Sequence, residues 1–188
     1  MNRHLFNLAR VLVRVLREIT RRAELLSLQL RGVASDSSAI IDSHAVFELS
    51  GGKISIGART FIDRGVILRP MGGSISIGSD CSVHAYSVLY GGGGLRIGNN
   101  VRIATQTVIV PSNHIFSDRL MPIKDQGLSL QGIVIEDNVW IGAGARVLDG
   151  VILRKGTVVG AGAVVTRSTD AFSVVVGVPA KKMSSREK

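Results

Sequence analysis

From residue 135 the chain repeats every six residues: IEDNVW, IGAGAR, VLDGVI, LRKGTV, VGAGAV, VTRSTD. The first place of each hexad is aliphatic: Ile135, Ile141, Val147, Leu153, Val159, Val165. The fifth is small or β-branched: Val139, Ala145, Val151, Thr157, Ala163, Thr169. The same beat runs upstream as IGARTF, IDRGVI and a third hexad at Leu68. After a slip of three residues come IGSDCS, VHAYSV and LYGGGG, and after a slip of two come IGNNVR, IATQTV and IVPSNH. Looser hexads begin at Ile41 and Phe47. Each slip follows a third hexad, so three six-residue sides make one coil and every insertion leaves from one corner. A short strand turns its aliphatic residue inward, while small residues and glycine turn the corners. One coil cannot bury its own interior. Stacked coils bury a continuous aliphatic column, at roughly 1.5–3 kcal/mol per side chain. A β-sandwich would need period-2 strands spaced by about 8–12 residues. The pattern predicts an all-β solenoid of triangular coils over residues 32–172, one long protruding loop at 111–133 and a closing segment with a basic tail at 173–188.

Residues 1–31 do not share the beat. Leu5, Leu8, Leu12, Val15, Leu16, Ile19, Ala23 and Leu26 fall near one helical face, and arginines fill much of the rest. This predicts a basic amphipathic helical arm of one or two helices capping the open base of the column. Membrane contact on an anionic surface is its second reading.

Composition agrees. Hydrophobic residues make up 45% and aromatics only 4%, so the core must be aliphatic, and 22 glycines serve many tight corners. The net charge of +9 belongs to the two ends. The arm holds seven arginines against Glu18 and Glu24. The tail holds Lys181, Lys182, Arg186 and Lys188 against Glu187, which leaves the body near neutral. No basic stripe with interleaved aromatics crosses that body, so nucleic acid is not an expected partner. The single cysteine, Cys81, excludes an internal disulfide and a thiolate cluster, and a cytoplasmic location is the simplest expectation. No run of about 18 apolar residues could span a bilayer. Arg10, Arg14 and Arg17 interrupt what could otherwise read as a signal peptide.

The register sorts the candidate chemistry. Cys81 takes an inward fifth place and reads as a core residue. His4 lies in the arm, and His44 takes an outward place. His114 closes the last hexad before the long loop, where the chain leaves the coil. Two outward alanines, Ala143 and Ala161, lie one 18-residue coil apart and should stack to leave a shallow groove, with Gly142 and Gly160 baring backbone beside them. Trp140 follows the loop. Asn113, Asp118, Arg119 and Gln126 are polar candidates within or beside it. His84 and His114 are 30 residues apart and no close histidine pair exists, so a three-histidine zinc site is not expected.

NVWIGAGARVLDGV, VVGAGAVVT and the closing VVGVPAKKM resemble the hexapeptide-repeat acyltransferases, from about residue 33 to 183. Closest are the sugar and cell-surface polysaccharide O-acetyltransferases, with galactoside and maltose acetyltransferases more distant. The resemblance implies a left-handed parallel β-helix, whereas crossover rules alone favour the right hand. It also implies a homotrimer with sites between subunits, acetyl-CoA as co-substrate and no metal. His114 is then the general base that takes the proton of an attacking sugar or glycan-precursor hydroxyl, an effect typically worth about 10²–10⁴-fold. Gly142, Ala143, Gly160 and Ala161 would line the pantetheine arm, and Thr166, Arg167 and Lys181 the nucleotide end of the cofactor. Galactoside acetyltransferases carry a substrate-contacting Asn where this chain has His84, which puts the acceptor in question. Transfer to the nitrogen of an amino sugar or nucleotide sugar is the alternative reaction. An inactive β-helix scaffold is the alternative class.

Overall fold

The aliphatic leads of the hexads all point into one column. Ile62, Leu68, Val83, Leu89, Ile103, Ile109, Ile141, Val147 and Leu153 are fully buried. The structure is a computed structural model that describes residues 3–49 and 51–187; within the helix it leaves out the side chains of 3–6, 8, 9, 17, 21, 24 and 25. The expectations for His4, Leu5, Leu8, Arg17 and Lys188 therefore lie outside the described side chains.

Three parallel sheets form the walls. The first face stacks Val33–Ser35, Lys53–Ile56, Ser74–Ile77, Leu95–Ile97, Ile133–Ile135 and Ile152–Leu153. The second stacks Ile40–Ile41, Phe61–Ile62, Ser82–Val83, Arg102–Ile103, Trp140–Ile141 and Val158–Val159, then adds Ser173–Val176 and Lys181–Ser185. The third stacks Val46–Phe47, Ile67–Arg69, Val88–Tyr90, Val108–Val110, Arg146–Leu148 and Val164–Val165. Every strand pairs with its equivalent one coil away, as Ile103 does with Val83 and Ile141. This is the parallel β-helix that the beat predicts, and all the slips fall between the third and first faces.

The corners explain the polar fifth places. Thr60, Ser87 and Thr107 are fully buried, yet each hydroxyl donates to a carbonyl at a corner: Gly78 at 2.7 Å, Ala104 at 3.0 Å and Ala104 at 2.9 Å. A buried hydroxyl so satisfied costs little. Cys81 occupies the same kind of place, and its Sγ donates to the Gly98 carbonyl at 3.1 Å. Burial pushes its thiol pKa up. It is a small core residue, as its register predicts.

One helix, Arg3–Leu30, precedes the column. Leu28 is its one buried side chain among those described; it belongs to the column's core cluster, and the helix packs against the Val33–Ser35 strand. Val11, Leu12, Val15, Leu16, Ile19, Leu26 and Leu30 are exposed. Among the described side chains, the apolar stripe of the arm is exposed and Leu28 is the one buried at the base. Among the described residues no helix is long and apolar enough to cross a membrane. At the other end, the Val164 N–H donates to the Gly177 carbonyl and the Ala180 N–H to the Val164 carbonyl. Residues 177–180 thereby cross over the last coil, and Lys181–Ser185 returns antiparallel to Ser173–Val176.

Candidate active site

The long insertion is a hairpin with its own frame. Asn113–His114 pairs antiparallel with Leu128–Ser129, setting His114 opposite Leu128 and Asn113 opposite Ser129. At the tip, Ile123–Asp125 forms a 3₁₀ turn. The Gln126 amide donates to the carbonyls of Asp118 at 2.7 Å and Met121 at 2.8 Å, and accepts the Asp118 N–H at 3.0 Å. The Asp118 carboxylate accepts the Leu120 N–H at 2.8 Å. Both candidates thus hold the loop's shape with these groups. Arg119 is exposed between them. The His114 ring is exposed at the base of the hairpin, and no described residue hydrogen-bonds it.

The return leg is fastened to the column by a residue that sequence reasoning missed. Asp149 accepts the Ser129 hydroxyl at 3.0 Å and the N–H groups of Gln131 at 3.0 Å and Gly132 at 2.9 Å. An Asp–Gly pair at 149–150, at the corner from which all the insertions leave, was the available signal.

The groove residues sit at a different corner, between the second and third faces. Ala143 and Ala161 are exposed and stacked, with the Gly162 N–H donating to the Ala143 carbonyl at 2.8 Å. Gly142 is buried rather than bare. Its N–H donates to the Val159 carbonyl at 2.8 Å, and a Cβ there would lie 2.6 Å from the Ala161 nitrogen. Close stacking of the coils accounts for that glycine. A Cβ on Gly160 would meet Val176 Cγ1 at 2.8 Å, so it too is covered.

His84 belongs to the same corner, two coils below Gly142. Its Nδ1 lies 3.8 Å from Asp63 Oδ2, and its ring meets Phe61 edge-on at 6.2 Å. Asp63 is a second residue that the repeat alone did not single out. Trp140 projects from the second face between Arg102 and Val158 and is 54% exposed. Thr166 and Arg167 are exposed just beyond the last third-face strand, and Lys181 follows Ala180, which is bonded to that strand. Lys181 therefore lies beside Val176 near the Ala161 corner, while Arg167 precedes Ser168, whose hydroxyl accepts the Ile152 N–H at the opposite corner of the third face. Among the described residues no three His, Cys, Asp or Glu side chains are placed to hold a metal.

A column of hexad coils with one corner loop headed by a histidine, and a small-residue groove at the next corner, defines a class of transferase. Residues 132–167 match the family description "bacterial transferase hexapeptide (six repeats)". The dTDP-4-amino-4,6-dideoxy-D-glucose acyltransferase of Escherichia coli is 34% identical over 140 residues, 72% of this chain and 73% of that protein. The chain belongs to the hexapeptide-repeat acyltransferase family. A probable acetyltransferase of Mycobacterium tuberculosis is 36% identical over 93 residues, and this chain spans only 31% of its length. The solved structure of an AntD variant, an N-acyltransferase from Bacillus cereus in complex with dTDP and coenzyme A, superposes with a TM-score of 0.74 at 28% identity, over 86% of this chain and 89% of that one. The E. coli relative is named for acyl transfer to an amino sugar and AntD as an N-acyltransferase; neither is named an O-acetyltransferase, the class that the motifs most resemble.

Proposed function

We propose that the chain transfers an acetyl group from acetyl-CoA directly to a sugar-linked acceptor, with His114 as general base. The observation that carries this reading is His114 at the rigid base of the corner hairpin, in a chain akin to CoA-binding acyltransferases. The acceptor nucleophile attacks the thioester carbonyl as His114 takes its proton, and CoA leaves as its thiol when the imidazolium returns it.

An amino group on a nucleotide-linked sugar is the leading acceptor, because AntD and the E. coli relative are named for such chemistry. A sugar hydroxyl is the second reading. It is favoured by His114 itself, since an alcohol needs a base more than a free amine does. Assaying CoA release against paired amino and hydroxyl forms of nucleotide sugars and free sugars separates them. Turnover with the amino forms alone supports the first reading, and with hydroxyl forms alone the second. Turnover with none, in a chain that binds CoA, refutes both.

The site is further proposed to be shared between copies of a homotrimer. His114 stands at one edge of the third face, while Ala143 and Ala161 stand at the other. That face presents an outward ladder of Val46, Ile67, Val88, Val108, Arg146 and Val164, apolar but for the arginine. The hairpin exposes the apolar side chains of Phe116, Leu120, Met121 and Ile123. Packing of copies along this face would bury both and bring a histidine to a neighbour's groove. Sedimentation equilibrium checks the mass, and a monomer active at high dilution would refute the shared site.

A further inference from the structure

The N-terminal helix meets the column with the wrong face for a cap. Leu28 is buried, yet Leu26 and Leu30 on either side of it are 56% and 81% exposed. At about 100° per residue, Leu28 lies on the same side of the helix as Arg10 and Arg14. Leu12, Val15, Leu16, Ile19, Leu26 and Leu30 fall within an arc of about 100° on the opposite side. The last turn thus presents the arginine side to the column and turns the apolar stripe away from it. The 28-residue helix is about 42 Å long, and the described residues of its stripe are exposed.

We propose that this helix lies flat in the surface of an anionic lipid bilayer, with its apolar stripe at the acyl boundary and the column standing above. A strongly amphipathic, arginine-rich helix of low overall hydrophobicity is the form that binds there. Charge selects the occupant. The arm carries seven arginines against two glutamates. The helix is about 10 Å thick, roughly one Debye length, so even arginines on its upper side feel the anionic headgroups. A bundle of arms from several copies would bury the same stripe but crowd a net +5 per arm together. The apolar stripe supplies depth and the arginines supply selectivity.

The test is co-sedimentation of the full chain with phosphatidylglycerol–phosphatidylcholine vesicles and with pure phosphatidylcholine vesicles, at low and high salt. Binding to the anionic vesicles, weakened by salt, is expected. Leu16→Glu should reduce it about tenfold or more. Arg10→Gln and Arg14→Gln should each weaken it about fivefold. The melting temperature of the column should hold in all three, because these side chains are exposed. No binding to anionic vesicles, equal binding to neutral ones, or an unweakened Leu16→Glu protein would overturn the proposal. So would a Leu16→Glu protein whose oligomeric mass falls while the parent ignores vesicles, since the stripe would then be a seam between copies.

Discussion

Asp149 holds Ser129. The carboxylate, at the corner between the fifth and sixth coils, accepts the Ser129 hydroxyl at 3.0 Å, and Ser129 is the residue after Leu128, which pairs with His114. The same carboxylate takes the N–H groups of Gln131 and Gly132. The strand that positions the histidine is therefore fixed to the rigid column and not only to its own loop.

Removing that anchor should separate stability from chemistry. Asp149→Ala leaves three donors without their charged acceptor, each such bond being worth about 1.5–3 kcal/mol before water replaces part of it. We expect a modest fall in melting temperature, a fall in kcat of about tenfold or more, and little change in CoA affinity. Asp149→Asn, which keeps one acceptor oxygen, should recover part of kcat. An Asp149→Ala protein with full kcat would show that the hairpin holds itself.

His114→Ala should lose about 10²–10⁴-fold in kcat if the histidine is the base. Because the ring is exposed and bonded by no described residue, the melting temperature should stay within about 0.5 kcal/mol equivalent of the parent. CoA binding, followed by calorimetry, should survive. Parent-like turnover would remove His114 from the mechanism.

Two adjacent positions should respond in opposite ways. Gly142→Ala drives a Cβ to 2.6 Å from the Ala161 nitrogen in the coil above and should cost about 1–3 kcal/mol of stability. Ala143→Leu adds bulk to an exposed corner. It should leave stability intact while raising the acetyl-CoA KM if the groove holds the pantetheine arm. Arg167→Ala with Lys181→Ala should also raise that KM and spare kcat. An unchanged KM in both would place the cofactor elsewhere.

Stability should fall on strong acidification. The Arg59 side chain bonds the Asp80 carboxylate at 2.6 and 2.7 Å and holds it below the usual carboxylate range. The Lys155 N–H at 2.8 Å, then Arg154, does the same for Glu136. A pKa lower in the folded than in the unfolded state gives stability that is present above the unfolded value, about 4. It is lost as pH falls through the folded one. These groups lie at the surface, so each effect is small and screened by salt. The melting temperature should drop below about pH 4, and less steeply in Asp80→Asn. A flat profile there would show that these bonds do not contribute.

The column follows from the hexads. An aliphatic residue every sixth place and a small one at the fifth leave no other way to bury Ile141, Val147 and Leu153 together, because the rule is local and repeats. It also placed the slips at one corner and put His114 where the loop departs. Which side chains meet across coils depends on how the coils stack. Stacking register put Asp149 under Ser129 and Asp63 near His84. It buried Gly142, whose missing side chain serves coil packing and not an open backbone. The hexad register already assigned His114 and Ala143 to different corners of one face. The arm's amphipathic pattern was plain in the chain. Which side met the column was not, because a helix can rotate about its axis without changing its pattern, and among the described side chains it is the burial of Leu28 that marks that rotation.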